Sequence, residues 1–166
     1  MKHKNLYIIF ILLIVHNSFG QQSIAELLKK LNSGSIPYIT FEELSEEKNN
    51  VILLDAREWR EYAVSHLKDA RYVGYETFNL KNTVKQINDK NTKIVVYCSI
   101  GVRSEDIAEK LDSIGYKNIY NLYGGIFEWK NNNLTVHDRN NNPTNKVHVF
   151  STYWGKWLEK GQKVYD

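Results

Sequence analysis

Residues 93–104, with the sequence KIVVYCSIGVRS, decide the fold of this chain and the place of its chemistry. Ile94 opens an unbroken apolar run to Tyr97, which is typical of a parallel strand buried on both faces. The run ends directly at Cys98. Residues 104–114 then carry apolar side chains at helical spacing, with Ser104 as the capping residue and Gly115 as a stop signal. The pattern predicts a strand, a short loop that contains Cys98, and a helix.

Strands and helices alternate on both sides of this unit. Strands are predicted at 51–54, 70–73, 93–97 and 118–122, and helices at 58–64, 76–88 and 104–114 and around 127–129. Two further helices each begin with a capping box, one formed by Ser23 and Glu26 and the other by Thr40 and Glu43. This alternation predicts an α/β fold with a mainly parallel central sheet.

The first twenty residues have the pattern of an export signal. Lys2 and Lys4 precede an apolar run at 6–15, and small residues precede a cleavage point after Gly20. The run is shorter than the roughly 20 residues that a membrane-spanning helix needs. We expect residues 1–20 to be a signal peptide and the protein to be exported to the periplasm, the alternative being an uncleaved membrane anchor.

The rest of the chain divides into three parts. Residues 21–35 are predicted to form an N-terminal amphipathic helix, residues 36–133 the main α/β domain, and residues 134–166 a C-terminal tail. The tail is rich in aromatic residues: Phe150, Tyr153, Trp154, Trp157 and Tyr165. Either the tail packs back on the main domain, or it forms a lid or a partner surface, since exposed aromatic clusters mark interaction sites.

The composition excludes several classes of protein and site. The chain has 166 residues, which suits one domain, and its net charge of +3 argues against a dedicated nucleic-acid binder. Cys98 is the single cysteine, so an intramolecular disulfide and any multi-cysteine metal cluster are excluded. His137 and His148 have no partners at metal-ligand spacing, and no metal site is predicted.

The surroundings predicted for Cys98 are those of a nucleophile. Loop amides after the strand can converge on the sulfur, and the helix dipole and the guanidinium of Arg103 favour its thiolate form. Gly101 allows a tight connection. The alternative is a buried structural cysteine, because free cysteines are among the most buried residues.

Three stretches, in this order, resemble the motifs of rhodanese domains, a family of sulfurtransferases. They are residues 54–58 (LDARE) with Glu61, Tyr62 and His66 following, residues 98–104 (CSIGVRS), and residues 121–129 (NLYGGIFEW). The chain is most similar to the single-domain, exported type. The resemblance implies a rhodanese-like fold over residues 36–133, with helices on both faces of the sheet.

The resemblance also implies a chemistry. Cys98 would take a sulfane sulfur from thiosulfate or a similar donor, form a persulfide, and pass the outer sulfur to a thiol or to cyanide. The implied partners are a small anionic sulfur donor and a thiol or protein sulfur acceptor. No cofactor, metal or nucleic acid is implied.

Roles for other residues follow from the same resemblance. Arg103 would bind the anionic end of the donor. The remaining assignments are Ser99, Ile100, Gly101 and Val102 for substrate binding, and Asp55, Arg57, His66 and Ser104 as residues that orient the loop. Two of these have structural alternatives: Arg57 could form a helix-surface ion pair with Glu61, and His66 could simply bond to backbone.

Two other functions are left open. Cysteine-dependent phosphatases and arsenate reductases also use a cysteine and an arginine in one loop, but with five residues between them, whereas Cys98 and Arg103 have four. The shorter loop favours sulfur over a tetrahedral phosphate. The second alternative is a non-catalytic rhodanese-like binding or sulfur-carrier module.

Overall fold

The computed structural model describes residues 23–47, 51–87 and 89–166. The predicted signal peptide lies outside these residues and stays a prediction. Within the described ranges, no helix has both the length and the apolar character needed to cross a membrane.

A five-stranded parallel sheet forms the centre of the protein. Its strands are β1 (Tyr38–Ile39), β2 (Val51–Asp55), β3 (Arg71–Tyr72), β4 (Lys93–Tyr97) and β5 (Ile119–Leu122), in the spatial order β1-β5-β4-β2-β3. Every pairing in this sheet is parallel. The predicted α/β fold with a mainly parallel sheet is therefore confirmed, and β4 lies at its centre.

Seven helices occur among the described residues: α1 (Ile24–Leu31), α2 (Phe41–Glu46), α3 (Trp59–Val64), α4 (Leu80–Val84), α5 (Arg103–Asp112), α6 (Gly125–Asn131) and α7 (Thr152–Gly155). Both predicted capping boxes, at the starts of α1 and α2, are present. The helix predicted at 76–88 is shorter than expected, because Asn79 caps α4 through the Asn82 amide and the chain before it turns.

Side chains from β4 alternate between two cores, one on each face of the sheet. Ile94 and Val96 belong to a core that includes Leu111 of α5. Val95 and Tyr97 belong to the other core, which includes Phe127 of α6. Because both faces are covered, the continuous apolar run of β4 is what burial requires.

The C-terminal tail forms part of the second core. It contains the short strands β6 (Val136–His137), β7 (Pro143–Thr144), β8 (Lys146–His148) and β9 (Gln162–Val164). Val147, Val149 and Leu158 are fully buried, and Trp157 is 3% exposed. The tail therefore packs back on the main domain, the first of the two interpretations of its aromatic residues.

Candidate active site

Cys98 lies at the carboxyl end of the central strand, directly after β4. Its side chain is buried, and its Sγ atom accepts a hydrogen bond of 3.1 Å from the amide of Gly101. Gly101 has a φ of 107°, a left-handed conformation that favours glycine. The sequence predicts several amides around the sulfur; the geometry gives this role to the Gly101 amide.

The amino end of α6 fixes the first two carbonyl groups of the cysteine loop. The amide of Ile126 donates to the Cys98 carbonyl at 3.0 Å, and the amide of Phe127 donates to the Ser99 carbonyl at 3.1 Å. A Cβ atom on Gly125 would lie 2.3 Å from the Cys98 carbonyl oxygen. The helix can approach the loop this closely only because residue 125 is glycine.

Two carboxamides hold the carbonyl group of Gly101, further along the loop. The Nδ2 atoms of Asn32 and Asn121 each donate to the Gly101 carbonyl at 2.8 Å. Asn121 lies in a motif that the sequence analysis recognised, but no role was predicted for it. A polar asparagine within a buried strand could have indicated that its side chain binds a buried group. Asn32 is the C-cap residue of α1, and local sequence could not predict its contact with the loop, because its partner is 69 residues away.

Ser104 lies beside the cysteine. Its hydroxyl donates to Oδ1 of Asn121 at 2.7 Å and lies 3.5 Å from the Cys98 sulfur. The sequence predicts a helix that begins at Ser104 with the serine as its cap; this is wrong, because α5 begins at Arg103 with Val102 in the N-cap position. The Ser104 side chain instead links the loop to β5.

Arg103 forms a bidentate ion pair with Glu61 of α3. Its Nη1 and Nη2 atoms donate to the two carboxylate oxygens at 2.8 Å each. Ser99 Oγ and the Glu58 amide also donate to the Glu61 carboxylate, at 3.1 and 3.0 Å. Burial by itself would raise the pKa of Glu61, but the hydrogen bonds and charge of Arg103 outweigh it and lower the pKa to about 2.

Asp55 and Arg57 form a second buried ion pair at the end of β2. The Arg57 Nη2 atom lies 2.6 Å from Oδ2 of Asp55 and also donates to the Ser65 carbonyl at 2.6 Å. Arg57 does not form the surface pair with Glu61 that was the alternative, because both side chains are fully buried and Glu61 is held by Arg103. The hydrogen bonds of this pair connect β2 to the segment after α3.

His66 is placed by backbone contacts, as its structural alternative predicts. Its ring stacks on Tyr62 with centroids 4.1 Å apart, and Nδ1 lies 3.2 Å from the Tyr62 carbonyl. Its backbone pairs with His137. The roles predicted for His66, Asp55 and Arg57 in orienting the loop stay predictions.

A pocket of about 190 Å³ opens onto the cysteine loop. Its lining comes from three separate parts of the chain: Leu31 of α1, the residues Cys98, Ser99, Ile100, Val102 and Arg103, and Phe150 and Trp154 of the tail. The Phe150 ring lies 5.5 Å from the Arg103 guanidinium. The tail therefore both fills a core and covers the site, and sequence patterns gave no indication of which aromatic residues would do so.

Metal binding finds no support in residues 23–47, 51–87 and 89–166. No group of three or more histidine, cysteine, aspartate or glutamate side chains there could hold a metal ion. The predicted absence of a metal or cofactor stays a prediction.

The fold and site define an α/β domain that presents one cysteine, in a tightly held loop, at the carboxyl edge of a parallel sheet. The model of the rhodanese-like domain matches residues 40–132, more than half of the chain. The protein belongs to the rhodanese-like domain family.

Solved structures share this fold. Thiosulfate sulfurtransferase from Pseudomonas aeruginosa is 19% identical with a TM-score of 0.57, and the match covers 74% of this chain and 23% of that one. A rhodanese-related protein from Thermoplasma volcanium is 26% identical with a TM-score of 0.53, and the match covers 60% of this chain and 96% of that one.

Curated relatives carry a different name. A tRNA uridine(34) hydroxylase of Hamiltonella defensa is 34% identical over 109 residues, which are 60% of this chain and 31% of that protein. A tRNA uridine(34) hydroxylase of Rickettsia prowazekii is 35% identical over 106 residues, 62% of this chain and 42% of that protein. The chain thus spans less than half the length of these relatives.

Proposed function

We propose that this protein is a sulfurtransferase that carries a sulfane sulfur on Cys98. The observation that supports this most directly is the position of Cys98 in a rhodanese-like domain, where the Gly101 amide donates to its sulfur. An amide hydrogen bond and the start of α5 favour negative charge on that atom. Such a sulfur can attack a donor and can then hold a terminal sulfur.

In the first step, the Cys98 thiolate attacks the outer sulfur of a donor such as thiosulfate. The sulfur–sulfur bond of the donor breaks, sulfite leaves with its electron pair, and Cys98 becomes a persulfide. Hydrogen-bond donors at the end of the loop would stabilise the negative charge of the departing sulfite, as an oxyanion hole does. The assignment of Arg103 to the donor stays part of this proposal; because Arg103 is paired with Glu61, it would offer hydrogen bonds rather than a net charge.

In the second step, an acceptor takes the outer sulfur. A thiolate or cyanide attacks it, the bond to Cys98 breaks, and the thiolate of Cys98 is restored. The chain has one cysteine, so the acceptor must be another molecule. The two steps predict ping-pong kinetics.

We include export to the periplasm in the proposal. Its support is the charged and apolar pattern of residues 1–20. Amino-terminal sequencing of the protein purified from a periplasmic extract should begin at Gln21. Recovery of the full-length chain from the cytoplasm would contradict export and leave sulfur transfer unaffected.

Two alternatives have less support. A non-catalytic binding module would have no use for a cysteine held as Cys98 is, although a carrier that serves one protein acceptor would keep it. Hydroxylation of tRNA uridine is the named activity of proteins of which this chain spans 31% or 42%. Sulfur transfer requires only the cysteine loop, and we therefore prefer it.

Incubation with thiosulfate followed by intact mass measurement tests the proposal. We expect the mass of one added sulfur atom on the parent protein, its loss on addition of cyanide, and no adduct on Cys98→Ala. Absence of an adduct on the parent, together with turnover of a phosphate ester, would overturn sulfur transfer in favour of a phosphatase. An adduct that cyanide and small thiols do not remove would indicate a carrier for a protein acceptor.

A further inference from the structure

The entrance to Cys98 is walled by apolar side chains. Leu31, Ile100, Val102, Phe150 and Trp154 line the pocket together with the cysteine. Leu31 and Phe150 are 46% and 40% exposed, so their apolar surface remains open to solvent. Exposed apolar surface that lines a concave site beside a nucleophile is surface that a ligand can cover.

The charge in the lining comes from Arg103, and it is neutralised. Both Nη atoms donate to Glu61, which is fully buried, and the Phe150 ring lies 5.5 Å from the guanidinium. A neutral acceptor bound here would therefore depend on apolar contact more than on the charge of Arg103, because Glu61 compensates that charge. An apolar group gains about 25 cal/mol for each Å² that it buries.

The size of the pocket sets the size of the group. Its volume is about 190 Å³. A cavity of roughly 150 Å³ lined by apolar side chains binds benzene. One aromatic ring with a short linker to sulfur therefore fits between the tail and the cysteine loop.

We propose that the acceptor in the sulfur-transfer reaction is a thiol with an apolar group of about the size of a benzyl ring, bound against Phe150 and Trp154. The proposal rests on the proposed sulfurtransferase function and names its acceptor class. The acceptor thiolate attacks the outer sulfur of the Cys98 persulfide, and the bond between the two sulfurs breaks. The electron pair stays on Cys98, the acceptor leaves as its persulfide, and no oxidant or reductant is consumed.

Single-turnover transfer from the loaded enzyme tests the proposal. Cys98 is loaded with thiosulfate, excess donor is removed, and loss of the added sulfur is followed by mass after mixing with benzyl mercaptan or with 2-mercaptoethanol. Both are primary alkyl thiols; the first carries an apolar ring and the second a small polar hydroxymethyl group on the carbon that bears the thiol. We expect the second-order rate constant for benzyl mercaptan to exceed that for 2-mercaptoethanol by at least about tenfold, because binding buries the ring.

Variants in the two walls connect this ratio to the pocket. Phe150→Ala and Leu31→Ala truncate exposed lining side chains from two separate parts of the chain, and we expect each to lower the benzyl preference several-fold. The preference is a ratio of two rate constants measured on enzyme that is already loaded, so a change in the loading rate does not alter it. Tyr165→Ala is the matched control, because Tyr165 is a tail aromatic that is 46% exposed and lies outside the lining. It should keep the preference of the parent.

The outcomes separate this proposal from the function on which it rests. Loading without a benzyl preference, or a preference that neither wall variant lowers, overturns the acceptor class and leaves sulfur transfer intact. An equal loss of preference in Tyr165→Ala also overturns it, because the effect would then come from general loosening of the tail. Failure of the parent to load overturns both proposals.

Discussion

The cysteine loop and the C-terminal tail both border Cys98, but they are held in place by different forces. Three carbonyl groups of the loop, at Cys98, Ser99 and Gly101, accept hydrogen bonds from α6 and from Asn32 and Asn121. Apart from Asn32, which is partly buried, these bonds join buried groups, so the positions of the loop atoms around the sulfur are narrowly defined.

The tail is anchored by a buried apolar part, whereas its part over the pocket is exposed. Trp157 and Leu158 are buried in the core, whereas Phe150 is 40% exposed and has a φ of 63°. The Phe150 amide donates to Nδ1 of His148, whose Nε2 atom lies 3.0 Å from Asp166. The loop holds the proposed nucleophile in a fixed position, whereas the tail borders its entrance. Substitutions in the loop should therefore change sulfur transfer, and substitutions in the tail should change stability or access to Cys98.

The largest effect is expected at the sulfur itself. Cys98→Ser should lower sulfur transfer from thiosulfate at least about 1000-fold, because a hydroxyl cannot form the persulfide. The serine side chain is similar in size to cysteine and can still accept a hydrogen bond from the Gly101 amide, so the thermal unfolding midpoint should change little. Residual transfer near the parent rate in a steady-state thiocyanate assay would remove Cys98 from the mechanism.

The buried part of the tail should behave as core. Trp157→Ala should lower the free energy of unfolding by about 3–5 kcal/mol, because it leaves a large cavity. Tyr153→Ala, at a tail aromatic that is 53% exposed, should cost much less. Urea unfolding of both variants checks this difference, and similar losses would show that the two parts of the tail are not distinct.

Gly125→Ala should distort the cysteine loop, because the new methyl group would overlap the loop's backbone. The added Cβ would lie 2.3 Å from the Cys98 carbonyl oxygen, at a φ of 55°. We expect a loss of roughly 3 kcal/mol in unfolding free energy and lower transfer activity. Gly34→Ala is the control, because Gly34 has a φ of 73° but nothing within 4 Å of the new atom. It should lose only about 1 kcal/mol and keep its activity.

The Glu61–Arg103 pair should make stability depend on pH in the acid range. The pKa of Glu61 falls from 4.5 to about 2 on folding, so its contribution is complete above pH 4.5 and is lost as the pH falls toward 2. Glu61→Gln should lose on the order of 3 kcal/mol at neutral pH and lack this acid dependence. Asp112→Asn, in the exposed ion pair of Asp112 with Lys117, should cost about 0.5 kcal/mol or less. Equal acid sensitivity of Glu61→Gln and the parent would contradict the role given to this pair.

The smallest effect is expected when one of the two carboxamides that donate to the Gly101 carbonyl is removed. Asn32→Ala leaves the Gly101 carbonyl bonded to Asn121, so we expect a loss of about 1 kcal/mol. Asn121→Ala should cost more, because its fully buried side chain also accepts from Ser104. Chemical denaturation of the two variants compares the losses, and the reverse order would contradict this account of the loop.

Local patterns were sufficient to predict much of the fold. The apolar run of β4 and the capping boxes of α1 and α2 depend on residues close in sequence, and all three are confirmed. The prediction of Ser104 as a helix cap failed, because a serine near a helix start can serve either the backbone or a distant partner. Here Asn121 is that partner, and only packing of α5 against β5 brings the two together.

The sequence by itself determined where the proposed nucleophile lies: Cys98 at the end of a buried strand, followed by Gly101, Arg103 and a helix. That information is local, because strand burial and helix periodicity are encoded over a few residues. The tertiary structure alone decided that Arg103 pairs with Glu61, that Asn32 reaches the loop, and that Phe150 covers the pocket. These contacts join residues 42 or more positions apart, and they exist only because the parallel sheet and the packed tail bring distant parts of the chain to one edge.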